Sequence, residues 1–178
     1  PAVADPVTFI DTNFRSVEWS ANAVGNCPNG YYAGALRVGL SGPMGHWRRH
    51  EISRAAPPCP EFIWDFRFKE AAVYAPANSG AVGSVDFYSY VATLSVPYSG
   101  RPYRPAIQQG LSVYICDQLV LTSDIVWRPV SLDCLTALDF HALNGSTAHP
   151  DFSASGAPFT CGYFVCSDDV TDTRFQFG

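Results

Sequence analysis

The sequence predicts an all-β chain, and three observations carry that expectation. Apolar and polar residues alternate with a period of two in several stretches. Those stretches hold the β-branched and aromatic residues, and glycine- and proline-rich segments separate them. Eight or so such stretches suit a β-sandwich, a barrel or a jelly roll. At 178 residues the chain is most simply one domain with a sizeable core. Aromatics at 14 % argue against disorder, and charged residues at only 15 % leave a surface suited to contact other protein. The formal charge is −5 with no run of Lys or Arg, which excludes an extended nucleic-acid arm. No apolar stretch approaches the roughly 20 residues of a membrane helix. The chain opens on Pro1 without a signal peptide, so a processed precursor or a trimmed chain is expected.

The elements follow in order. Pro6–Ile10 and Phe14–Trp19 read as short strands, and Asn22–Gly30 is a loop by turn chemistry. Tyr31–Leu40 alternates again, and His46–Ile52 continues as a strand after a Gly-Pro break. Glu61–Lys69 has the cleanest period of two. Phe62, Trp64, Phe66 and Phe68 form its expected buried face, and Asp65 and Arg67 its wet one. The longest strand-favouring run is Gly83–Gly100, around which the rest is organised. It stops at Pro97, which cannot donate to a ladder, and leaves through the proline-rich loop Tyr98–Pro105. Gly110–Cys116, Gln118–Leu121 and Ile125–Trp127 follow. Val130–Leu143 has helix signals in Ser131 and Asn144-Gly145, but in an otherwise all-strand chain it is read as a strand. From Asn144 onward a Gly/Ser/Pro-rich tail carries two strand-like pieces, around Phe159–Cys166 and Thr173–Phe177.

Chemical motifs are thin. Six cysteines, at positions 27, 59, 116, 134, 161 and 166, point toward disulfides. Against that, Cys161 and Cys166 on one strand face opposite sides about 16 Å apart, and a bridge needs Cα atoms within roughly 7 Å. Cys116 and Cys134 sit in apolar runs, where reduced, buried thiols in a reducing compartment are expected. His46 and His50 would suit zinc on a helix, but on a strand they lie about 13 Å apart. Asp168, Asp169 and Asp172 are oxygen ligands of the type calcium takes, yet on an exposed tail they read as solvated. Asn144-Gly-Ser146 is a glycosylation sequon. No nucleophile elbow, metalloprotease helix or phosphate loop is present, so no catalytic residue, metal or cofactor is assigned. Tyr98, Arg101, Tyr103 and Arg104 are the candidate surface or interface loop, able to stack on a sugar or pair with an acidic partner.

The order of signals resembles the capsid proteins of picorna-like viruses (Picornavirales). Tyr31-Tyr-Ala-Gly-Ala-Leu-Arg-Val looks like their aromatic–Gly–Leu–Arg strand, though Ala33 replaces the usual arginine. Gly80-Ala81 leads to a strand ending in Val96-Pro-Tyr-Ser99. Gly110-Leu-Ser-Val-Tyr-Ile and Val130–Phe140, with its closing Asp-Phe, match the strands that follow. The resemblance spans Tyr31 to Phe140. It implies an eight-stranded antiparallel jelly-roll β-sandwich over residues 1–143. Residues 144–178 would be an extended C-terminal tail on that domain or a neighbouring subunit. It further implies a non-catalytic capsid subunit of an icosahedral RNA virus, assembled in the host cytoplasm and located in the virion. Its partners would be other copies and other capsid proteins, packaged RNA through weak contact, and a host receptor, with no membrane insertion. The second reading is a secreted, lectin-like β-sandwich binding module, stapled by three disulfides and using the Tyr/Arg loop.

Overall fold

The computed structural model describes residues 6–25, 31–43, 45–54, 63–93, 101–122, 126–167 and 172–177. Two antiparallel sheets face each other. The first contains β1 (Trp19–Gly25), β4 (Ile63–Tyr74), β11 (Phe159–Ser167), β6 (Arg101–Gln109), β7 (Ser112–Cys116) and β10 (Phe140–Ala142) in that order, with β8 (Val120–Thr122) also paired to β6. The second runs β2 (Tyr31–Gly42), β3 (Gly45–Arg54), β12 (Asp172–Phe177), β5 (Val85–Thr93), β9 (Arg128–Leu135). The expected all-β antiparallel sandwich is therefore present, built from twelve strands among the described residues instead of eight.

Side-chain alternation fixes what lies between the sheets. Ile63, Tyr103, Tyr163 and Val165 of the first sheet meet Val91, Phe87, Val130 and Leu132 of the second. Further along, Ile107, Tyr114, Cys116, Phe140 and Phe159 pack with Leu135 and Phe152. At roughly 25 cal/mol per Å² of apolar area removed from water, such a core is the main stabilising contribution.

Strand β4 departs from expectation. Phe66 and Phe68 are buried as expected and Trp64 partly so, while Phe62 lies outside the described residues. Asp65 and Arg67, expected wet, are buried too, at 0 % and 8 % exposure. The aromatic face is the outer one, packed with Phe164, Ile115 and Cys166, and the polar face points between the sheets. A period of two separates two faces but does not say which is inside.

The tail expected at 144–178 is a correction. Strand β11 sits between β4 and β6, and β12 between β3 and β5, so both sheets are closed by this segment. The two strand-like pieces read there are these strands. Val130–Leu143 is not one strand. It splits into β9 and β10, in different sheets, around a 3-10 turn at Ala137–Asp139 that Thr136 and Asp139 cap reciprocally. Gly162 is required where β11 shifts register against β4, because a Cβ there would lie 2.1 Å from the Arg67 carbonyl oxygen.

Four described cysteines are free thiols. Cys116 is buried as expected, but Cys134 is exposed, at a bulge with φ of +57°. With four free thiols, the three-bridge framework of the second reading is not formed. Cys27 and Cys59 lie outside the described residues.

Candidate functional site

The residues read as a surface loop are placed differently. Tyr98 lies outside the described residues, and only the backbone of Arg101 is described, as the start of β6. Tyr103 points between the sheets at 4 % exposure, with its ring centroid 5.6 Å from Phe87 and 5.4 Å from Tyr163. Burial raises its phenol pKa well above the ordinary value. Arg104, on the opposite face of β6, donates to the carbonyl oxygens of Cys116 (3.1 Å) and Asp117 (3.2 Å). The surface-loop expectation thus fails for Tyr103, which is part of the core, while Arg104 is half-buried on the outward face of β6. Two prolines suggested a loop, but a strand accommodates both. Pro102 lies beyond the last β11 partner, Tyr103, and Pro105 falls between the stretches of β6 paired to β8 and β7.

A buried polar cluster joins the sheets. His50 Nδ1 lies 3.0 Å from Asp65 Oδ2, and His50 Nε2 is 2.6 Å from the Tyr163 hydroxyl. Arg67 donates to Asp65 Oδ2 at 3.0 Å, and the Arg48 guanidinium lies 4.7 Å from the centre of the Trp19 ring. Desolvation lowers the His50 pKa to about 4, against the opposing pull of Asp65. His50 and Asp65, at 0 % exposure, cannot meet a ligand, so their role is to fix the two sheets in register. Among the described residues no three His, Cys, Asp or Glu side chains converge as metal ligands.

The outer face of the second sheet is different. Phe87 and Val91 of β5 and Val130 and Leu132 of β9 point inward, so Tyr88 and Tyr90, and Pro129, Ser131 and Asp133, point outward. The register places Tyr88 opposite Ser131 and Tyr90 opposite Pro129. Tyr88 is 55 % exposed, and its ring meets that of Tyr90 edge-on at 5.5 Å. The Tyr88 hydroxyl donates to that of Tyr90, which raises the Tyr88 pKa. On β3, Arg48 and His50 point inward, which turns Trp47 and Arg49 outward. Trp47 meets Trp127 edge-on at 5.8 Å, reaching across the sheet. Asp86 accepts the Cys134 N–H at 2.7 Å and holds the β9 bulge, while Ser131 donates to Asp133 at 2.5 Å. The result is an aromatic band of exposed Tyr88 and half-buried Tyr90 and Trp127, edged by hydroxyls and carboxylates on one rigid sheet face, with Trp47, only 7 % exposed, packed behind Trp127.

The period of two along Gly83–Gly100 puts Tyr88 and Tyr90 on one face of that strand. It has no means of adding Trp47 and Trp127, because strand order is a tertiary fact.

No family model matches the chain, and no curated protein matches it. Solved structures do match at the level of fold, two of them as follows. One is a family 11 carbohydrate-binding module from Clostridium thermocellum in complex with a β-1,3-1,4-mixed-linked tetrasaccharide. Its TM-score is 0.57 at 8 % identity, over 94 % of this chain and 89 % of that one. The other is a solution structure of CtCBM11, with a TM-score of 0.55 at 7 % identity, over 94 % and 88 %. The capsid-subunit expectation is corrected by these neighbours: the two proteins that share the sandwich are carbohydrate-binding modules and neither is a shell subunit. The readings of shell neighbours, packaged RNA and a virion location lose their premise with it.

Proposed function

We propose that this chain is a carbohydrate-binding β-sandwich that holds a neutral glycan on the outer face of its five-stranded sheet, by binding and not turnover. The reading is carried by exposed Tyr88 beside half-buried Tyr90 on one strand, continued by half-buried Trp127, which the buried Trp47 ring backs. Sugar rings present apolar C–H faces with hydroxyls at their edges. An aromatic band edged by Ser131, Asp133 and Asp86 offers the complementary pattern. The exposed carboxylates disfavour acidic polysaccharides. The sheet supplies a platform whose geometry changes little on binding, which limits the entropy cost of association.

The test is retardation of the native chain in gels containing neutral β-glucans, xylans or mannans, against an acidic polysaccharide. Retardation by at least one neutral glycan and none by the acidic one is expected. Retardation by none of the neutral glycans contradicts the reading.

A further inference from the structure

Among the described residues strand β12 meets β5 at Val91–Thr93, and its register on β3 runs no further down than Arg48. Below that line no described strand lies between the start of β3 and residues Val85–Tyr90 of β5, a gap one strand wide. The amino-terminal segment crosses this gap. Its later part is pinned: Arg37 Nε donates to the Asn13 carbonyl at 2.6 Å. The Asp11 carboxylate accepts the N–H groups of Asn13 and Phe14, Trp19 Nε1 at 2.7 Å and Lys69 Nζ at 2.9 Å. Its earlier part is not. Among the described residues Pro6–Ile10 form no hydrogen bond, and Val7, Phe9 and Ile10 are 53 %, 41 % and 71 % exposed.

Two cavities flank this strap and share Thr8, Phe9 and Cys161 as walls. The larger, about 380 Å³, has Trp19, Phe87, Tyr103 and Tyr163 on its walls and Lys69, Asp11 and Ser89 at its polar points. That volume is within the ~300–1,000 Å³ range of small-molecule sites. The chemistry narrows the occupant. Lys69 is already paired to both Asp11 and Glu18, at 2.9 and 2.6 Å, so the local charge is not positive and an anion has no free partner. A purely apolar molecule would strip water from that ion cluster without replacing its hydrogen bonds. A neutral polyhydroxylated ring meets both demands, with carbons against the aromatic walls and hydroxyls toward Asp11, Lys69 and Ser89.

We propose that this gap is a second binding site, which touches the outer-face band only at Tyr88, takes a single neutral sugar unit and is gated by the strap Pro6–Ile10. It stands whether or not the outer face binds glycan. Access requires the strap to swing about Asp11, the point where its hydrogen bonding begins.

The experiment is a titration of the full chain with D-glucose, D-galactose and D-mannose, followed by amide NMR shifts. D-glucuronate and hexanoate serve as the charged and apolar controls. At least one neutral hexose should shift the amides of Ala72, Ser89 and Gly162 saturably, and the controls should not. Two variants should abolish the shifts: Ser89→Leu, which fills the cavity, and Thr8→Cys cross-linked to Cys161, which locks the strap. Reducing the cross-link should restore them, which keeps the test sound if the leucine variant fails to fold. Three results overturn the proposal. They are no saturable shift at these amides, equal binding of glucuronate or hexanoate, and binding that survives the locked strap. Shifts confined to Tyr90, Ser131 and Asp133 would likewise reject this site while supporting the outer-face one.

Discussion

His50 and Tyr163, 113 positions apart in the chain, share a 2.6 Å hydrogen bond between the two sheets. His50 comes from β3 of the second sheet and Tyr163 from β11 of the first, and Asp65 of β4 holds the other ring nitrogen. Both ring nitrogens are engaged at 0 % exposure, and desolvation holds the histidine pKa near 4, so the neutral ring is the folded form.

This sets a pH dependence. The folded pKa of about 4 lies below the ordinary 6.5, so the unfolded chain binds a proton first as pH falls. The contribution is fully present above about pH 6.5 and is lost as pH falls toward 4, amounting to about 3 kcal/mol in all. Urea unfolding at pH 7.5 and 4.5 should show this loss. A His50→Gln variant should show a smaller loss over the same window. An equal loss in both would rule His50 out as its source.

Asp65 carries the opposite burden. It faces Arg67, with Nε 2.9 Å from Oδ1, and His50, with no exposure of its own. Removing it leaves a buried guanidinium without its counter-charge, so Asp65→Ala should cost roughly 3–5 kcal/mol. Chemical denaturation measures the cost. A loss within 0.5 kcal/mol, typical of a wet surface position, would restore the original reading of that face.

The aromatic face of β4 makes a separate prediction. Phe66 is 1 % exposed and lies 5.0 Å from the Phe164 ring. Phe66→Ala should cost roughly 3–5 kcal/mol in the same assay. A much smaller cost would mean that the outer cluster is loosely packed.

Thiol reactivity separates the cysteines. Cys134 is exposed, whereas Cys116 is buried, and desolvation raises its pKa. A maleimide reagent should label native Cys134 in preference to Cys116, and both at similar rates in urea. Native protection of Cys134 would contradict its placement on the bulge.

Much of the fold was legible. The alternation in Glu61–Lys69 and Gly83–Gly100 located β4 and β5, and Phe159–Cys166 located β11. The side each face took was not legible, because Asp65 and Arg67 neutralise each other and Asp65 is also hydrogen-bonded to His50, which comes from another strand. Nor was the rank of β11 and β12, since a glycine-rich approach reads as a tail although its strands occupy sheet centres. Tyr103 looked like a surface residue because two prolines surround it, while its neighbours Phe87 and Tyr163 are remote in sequence. Tyr88 and Tyr90 were legible as a pair but had no partners until the sheet order brought Trp47 and Trp127 to the same face.

The central claim is that the outer face of the second sheet binds a neutral glycan. The most direct measurement is titration calorimetry of the chain and its Tyr88→Ala, Tyr90→Ala double variant. The ligand is whichever neutral glycan retards the native chain, with the mixed-linked β-1,3-1,4-tetrasaccharide tried first. Both tyrosines lie on the outer side of β5 and Tyr88 is 55 % exposed, so the variant should keep its fold. The account predicts at least about a tenfold loss of affinity, ~1.4 kcal/mol or more, with an unchanged unfolding midpoint. Unchanged affinity in a folded double variant would contradict it.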